Sequence, residues 1–270
     1  MRVSAGPDPK AEEVRMRILL TNDDGIQAHG LRALYAALVE AGHEVRVVAP
    51  VAEQSAVGHA ITFHTPLRVH EFREDGFSGL GVHGTPADCV KLGLTTLVRE
   101  PVDLVLSGIN KGANVGVDIV YSGTVSAATE AALMSLPAMA VSMDDFKVRD
   151  LREQARFAVG LLPEVPWSEI PAKTLLNLNF PACPFAEHKG LRLCLHTRAA
   201  YNDWYVERTD PRGNSYYWLE GEIPQDSISP DRDRALLSEG YVTLTPLHFD
   251  FNDRDTLALL GERMYGRSGR

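Results

Sequence analysis

From Met16 onward, short apolar runs alternate with amphipathic segments of helix length, and this alternation restricts the fold more than any other feature. The run RILL (17–20) ends at TNDDG (21–25). LRALYAALVEAG (31–42) then sets Leu31, Leu34, Tyr35 and Leu38 at helical spacing, and Gly42 stops it. EVRVVAP (44–50) reads as a β-branched strand. After a polar stretch, GTPADCVKLGLTTLV (84–98) reads as a helix with Thr85 as N-cap, Pro86 at the first helical position and Asp88 closing a capping box. VDLVLSGIN (102–110) is a third buried strand and runs into the glycine-spaced GINKGANVG (108–116). SGTVSAATEAALM (122–134) opens a helix, PAMAVSMD (137–144) is a strand, and LREQARFAVGLL (151–162) is a helix.

Strands separated by helices of this length predict βαβ units: an α/β fold with a Rossmann-like, mostly parallel sheet flanked by helices. Ligands of such sheets sit outside the carboxyl ends of the strands. Three polar clusters are expected there: TNDDG, QSAVGHA (54–60) and GINKGANVG. Past about residue 175 the alternation stops. TLLNLNFP, LRLCLHTR, DWYVERTD, NSYYWLEGE and YVTLTPLHFDF read as strands, with a turn at DPRGN, and RDTLALLGERM reads as a closing helix. This third of the chain is expected to form an antiparallel appendage containing a C-terminal hairpin.

Charge and composition narrow the partners. Across 270 residues, 27 basic against 36 acidic side chains give a net charge of −9, without the basic footprint of a duplex nucleic-acid binder. An acidic surface also repels phosphorylated substrates unless a cation or a local positive dipole intervenes. No run approaches the roughly 18 apolar residues of a membrane span, and the N-terminal stretch lacks the apolar segment of a signal peptide. The three cysteines, Cys89, Cys183 and Cys194, form no disulfide framework or thiolate cage, which fits a reducing, cytoplasmic setting.

Asp23 and Asp24 stand together where a buried strand gives way to a helix. Two carboxylates there repel each other, so either they hold a divalent cation or one caps the helix while the other faces water. Asn110 ends the third strand, and Ser55 lies in the loop after the second. Carboxylates, an amide and a hydroxyl are hard oxygen donors, suited to Mg²⁺, Mn²⁺ or Ca²⁺ rather than zinc. Ser122, Gly123 and Thr124 offer hydroxyls and amides at a helix N-terminus, where orphan N–H groups and the dipole favour phosphate. Lys111 adds a positive charge nearby.

Two rival chemistries have weaker signals. GLGVHG (79–84) matches the glycine pattern of a dinucleotide loop, so a nicotinamide-type oxidoreductase is one alternative, but the segment before it is polar and broken by glycine. The serines of SGT and LSGI do not sit in a nucleophile elbow. A protein that binds nucleotide and metal without hydrolysis is the other alternative.

Taken together, the stretches MRILLTNDDGIQAHGL, VVAPVAEQSAVGHAIT, GTPADCVKLG, DLVLSGINKGANVGVDIVYSGTVSAATEA, YNDWYVERTDPRGNSYYWLEGE and EGYVTLTPLH closely resemble the SurE (survival protein E) metal-dependent nucleotidases. That resemblance implies hydrolysis of nucleoside 5′- and 3′-monophosphates, and activity on short polyphosphate. It implies one Mg²⁺ or Mn²⁺ per subunit on Asp23, Asp24, Ser55 and Asn110. It also implies phosphate binding by Asn114, Ser122, Gly123 and Thr124, with catalysis resting on Asp23, Asp24, Asn110 and Asn114. The organisation expected from it is a disordered tail over 1–15 and a single domain over 16–270. Within that domain, 16–185 is the α/β core and 186–270 an extension that exchanges its hairpin in a homodimer or homotetramer. Gln54, Ala60 and Ala113 depart from residues common in the family, and none of the three replaces a ligand.

Overall fold

A computed structural model describes residues 15–224 and 227–266; the tail expected over 1–15 therefore lies, but for Arg15, outside the described residues. In chain order the first half contains β1 (Arg17–Thr21), α1 (His29–Glu40), β2 (Glu44–Pro50), β3 (Val69–Glu74), β4 (Phe77–Val82), α2 (Pro86–Leu92), β5 (Leu104–Lys111), α3 (Asp118–Tyr121) and α4 (Gly123–Leu133). The second contains β6 (Ala138–Met143), α5 (Arg152–Leu161), β7 (Thr174–Phe180), β8 (Leu191–Leu193), β9 (Asn202–Thr209), β10 (Ser215–Glu222), α6 (Asp233–Ser238), β11 (Val242–His248) and α7 (Arg254–Tyr265).

Nine strands form one sheet in the order β3-β4-β2-β1-β5-β6-β7-β11-β8. Its centre, from β4 through β2, β1, β5 and β6 to β7, is parallel throughout. Strand β3 is antiparallel to β4 at one edge, and β11 is antiparallel to β7 near the other. The chain leaves β1 for β2 on one side and later places β5 on the other. The carboxyl ends of β1 and β5 thus flank the switch point, where the strand order reverses and a crevice opens.

Period-two alternation along the strands divides the core between the two faces. Ile18, Leu20, Val47, Leu106 and Val141 pack with Leu31, Leu34 and Leu38 of α1 and with Ala155 and Ala158 of α5. Leu19, Val48, Val105 and Ala140 pack with Cys89 and Val90 of α2 and with Ala127, Ala128, Ala131 and Ala132 of α4. The small alanines let α4 lie close on the sheet. Helix α2 begins as its sequence predicts: Thr85 accepts from the Asp88 N–H at 3.1 Å, and the Asp88 carboxylate accepts from the Thr85 N–H at 2.9 Å. Such a cap contributes about 1 kcal/mol.

Three features differ from the sequence reading. The stretch read as polar and broken before β4 is a strand, joined to β4 through Asp75–Gly76, with Gly76 at φ +74° as a tight two-residue turn requires. Strand β7 extends the parallel sheet, and β11 and β8 continue the same sheet, so antiparallel pairing separate from it is confined to the β9–β10 hairpin. The segment before β11 contains the short helix α6.

Candidate active site

The end of β1 delivers Asn22, Asp23 and Asp24 into the crevice. Asn22 is fully buried and donates its side-chain amide to the carbonyl of Gly25 at 2.9 Å, which closes the turn beneath the two aspartates. Asp23 is buried, and Thr124 at the start of α4 donates its hydroxyl to it. Burial raises the Asp23 carboxyl to about 6; the Thr124 hydrogen bond opposes that rise and the Asp24 charge adds to it. Asp24 is half-buried and is also pushed up by burial, against the opposing effect of Lys111, whose backbone N–H donates to it at 3.2 Å. Among the described residues, neither carboxylate has an ion-pair partner within 4.0 Å.

Asn110 reaches the crevice because β5 carries an extra residue. Between Ser107, opposite Ala140, and Asn110, opposite Ser142, three steps on β5 match two on β6. A bulge of this kind re-aims side chains at the end of a strand. The Asn110 amide nitrogen donates to the carbonyl of Gly112 at 2.8 Å, leaving its oxygen as the atom suited to a cation.

Gly123 and Ser122 form the start of α4. A Cβ on Gly123 would stand 2.8 Å from the Asp23 Cβ, so only glycine lets the helix terminus approach this closely. Ser122 caps the helix by accepting from the Val125 N–H at 3.1 Å. Asn114 is buried and gives one amide hydrogen to Ser142 Oγ at 2.7 Å. Ser55 sits apart from these residues. It is exposed and its hydroxyl donates to Glu53 at 2.7 Å, although its neighbour Gln54 is tied by its N–H to the Asp23 carbonyl at 2.8 Å. The structure therefore brings Asp23, Asp24, Asn110, Gly123 and Thr124 to one crevice, and holds Ser55 on an adjoining loop.

The donor set fits a hard divalent cation. Two desolvated carboxylates without a compensating ion pair call for one, and the remaining donors are neutral oxygens. Among the described residues no three His, Cys, Asp or Glu side chains form a metal-binding group, so neutral oxygens would have to complete the site. Buried polar atoms without partners also collect here: Thr21 Oγ1 and Asn22 Oδ1 lie at and just past the end of β1, and Ser107 Oγ belongs to the β5 residue opposite Thr21.

Sequence reasoning missed the residues behind the crevice. Asn177 and Asn179 on β7, and Asp233 at the start of α6, bond the chain that follows β5. The one available signal was a pair of asparagines spaced by two in an otherwise apolar strand, TLLNLNF. The dinucleotide alternative loses its basis. Gly79 and Gly81 lie inside β4, and a Cβ on Gly81 would stand 2.4 Å from the Phe72 ring, so these glycines admit a neighbouring side chain rather than a pyrophosphate.

Strand order and carboxylate placement define a doubly wound α/β protein with an acidic crevice at its switch point. A family model described as "Survival protein SurE" matches residues 18–203. The chain belongs to the SurE family. It is 61% identical over 251 residues to a protein named 5′-nucleotidase SurE from Maridesulfovibrio salexigens, spanning 93% of this chain and 100% of that relative. The protein of the same name from Gloeobacter violaceus is 46% identical, spanning 93% of this chain and 96% of its own length. The crystal structure of a SurE protein from Aquifex aeolicus superposes with a TM-score of 0.78 at 36% identity, covering 92% of this chain and 99% of that one.

Proposed function

We propose that this chain, a phosphoric monoester hydrolase of the SurE class, releases inorganic phosphate from nucleoside 5′-monophosphates with the help of a divalent cation. One observation carries the reading. The cation-demanding Asp23 carboxylate lies directly against the first residues of α4, so a site for positive charge and a site for an anion share one contact. The curated relatives named 5′-nucleotidase SurE support the substrate class.

Asp23, Asp24, Asn110 and Ser55 would hold one Mg²⁺ or Mn²⁺; for Ser55 this means turning its hydroxyl from Glu53 toward the crevice. When bound, the cation supplies Lewis-acid polarisation of the phosphoryl group and a more acidic water. Asn114 retains one amide hydrogen for a phosphoryl oxygen, and the N-terminal end of α4, with its dipole, stabilises charge on the others. Ser122 and Thr124 keep that helix terminus in place. Water attacks phosphorus, the ester bond breaks, and the leaving oxygen takes up a proton to give the nucleoside; one of the two aspartates accepts the proton lost by the water.

The same site accommodates nucleoside 3′-monophosphates and short polyphosphate, because everything named so far grips the phosphoryl group and nothing grips the base. The unpaired thiols of Cys89, Cys183 and Cys194 suit a cytoplasmic setting. No helix among the described residues is long and apolar enough to cross a membrane. A core over 16–185 and an extension over 186–270 that serves a dimer or tetramer complete the reading. Phosphate release from AMP should disappear in EDTA and return with added Mn²⁺ or Mg²⁺. Full turnover in chelator would end the proposal.

A further inference from the structure

After β5 the chain runs alongside β6 and β7, and its peptide groups need partners there. Strand β7 supplies them. Leu176, Leu178 and Phe180 point into the core shared with α1 and α5, while Leu175 joins the α4 side. Asn177 and Asn179, in phase with Leu175, are fully buried. Asn179 accepts the Asn114 N–H at 2.8 Å, and the amide groups of Asn177 and Asn179 donate to the Asn114 carbonyl at 2.8 and 3.3 Å. Asn110, Ser142 and Asn179 stand opposite one another on β5, β6 and β7, and Ser142 takes an Asn114 amide hydrogen.

Two residues further on, the C-terminal part of the chain takes hold. Asp233, with no exposed surface, accepts the Gly116 N–H at 2.9 Å, the Thr197 N–H at 2.7 Å and the Arg234 N–H at 2.8 Å. Arg234 donates to the Val115 carbonyl at 3.3 Å and pairs with Asp118. Buried amides and carboxylates are costly unless fully bonded, and when bonded they fix geometry more tightly than apolar packing does.

We propose that Asn179 and Asp233 are positioning residues for phosphate: they fix the 114–116 stretch, and through it the Asn114 amide, without touching the substrate. The proposal rests on the reading that Asn114 meets the phosphoryl group. It implies that phosphate affinity depends on β7 and α6 while cation affinity does not.

The test uses full-length Asn179→Asp and Asp233→Asn, with Arg234→Lys as a milder variant should either fail to fold. Three quantities are measured: the inhibition constant of inorganic phosphate alongside KM for AMP, Mn²⁺ affinity by calorimetry, and amide hydrogen exchange at Asn114 and Gly116. Losing one such bond should weaken phosphate inhibition and raise KM about tenfold. Exchange at 114–116 should accelerate, with Mn²⁺ affinity unchanged. A folded variant with normal phosphate inhibition and exchange overturns the proposal. So does a variant whose Mn²⁺ and phosphate affinities fall together with its melting temperature, because that describes general loosening. If the wild-type protein neither hydrolyses AMP nor binds phosphate, the catalytic reading itself fails, and the variants are not needed to see it.

Discussion

Burial holds the Asp23 carboxyl at about 6 against an ordinary value of 3.8, so its negative charge opposes folding in the metal-free protein. The sign follows from linkage: the folded state binds the proton more tightly, and stability is lost as pH rises through about 6. Asp23→Asn removes that charge and still offers Thr124 an acceptor. Near neutral pH the metal-free variant should be more stable, by roughly 2–3 kcal/mol at most, while releasing no phosphate from AMP. A lower melting temperature for the metal-free variant would contradict the electrostatic account. Asp23, Asp24 and the Ser122–Thr124 cap were legible in the sequence because adjacent carboxylates and a helix N-cap are local signals. Asp233 was not, since its bond to Gly116 joins residues 117 positions apart. The asparagines of β7 fell between these cases. Their spacing was visible, but their partner, a peptide of another loop, was not.

Elements with a clear period were readable, and short ones were not. Helices α1 and α5 follow from apolar spacing, strands β1, β2, β5 and β6 from short apolar runs, and α4, buried on nearly every side, from the Ser-Gly-Thr at its start. Helices α3 and α6, at four and six residues, are too short to show a period. The β3–β4 hairpin carries an Asp-Gly turn signal, yet β3 is so exposed at the sheet edge that its alternation is faint, and Gly79 and Gly81 interrupt β4. Helix α4 also anchors the loop that carries Ser55. His59 meets Glu130 at 2.9 Å, and Lys91 of α2 meets it at 2.5 Å. The hydrogen bond from His59, helped by Lys91, holds the Glu130 carboxyl below its ordinary value of 4.5. These contacts therefore stabilise the fold above that pH, and the contribution fades as pH falls through the lowered folded value. Glu130→Gln should lower the melting temperature near neutral pH, with the gap from wild type narrowing as the solution is acidified below 4.5. Two melting curves that stay parallel over this range would show that charge plays no part in the tether.

For the whole molecule, the sheet is well covered and the β9–β10 hairpin is not. Tyr205 is 70% exposed and Trp218 57%, and Trp204, Tyr216 and Tyr217 are also open to solvent. Leu257, Leu260 and Met264 of α7 are similarly exposed. So much exposed apolar surface is what the proposed association face would present. Light scattering should give a mass above that of one chain, and replacing Trp204 and Trp218 together by serine should reduce it. A monomeric wild-type protein would rule out the exchanged hairpin. The placement of Asp233 has a consequence for biogenesis. Asp23, Asn110 and Ser122 leave the ribosome well before α6 and β11, which complete both the sheet and the grip on Gly116. On the proposed reading, a nascent chain would carry every group named for hydrolysis before Asp233 could fix the 114–116 stretch, so translation of α6 and β11 would be the step that arms the enzyme.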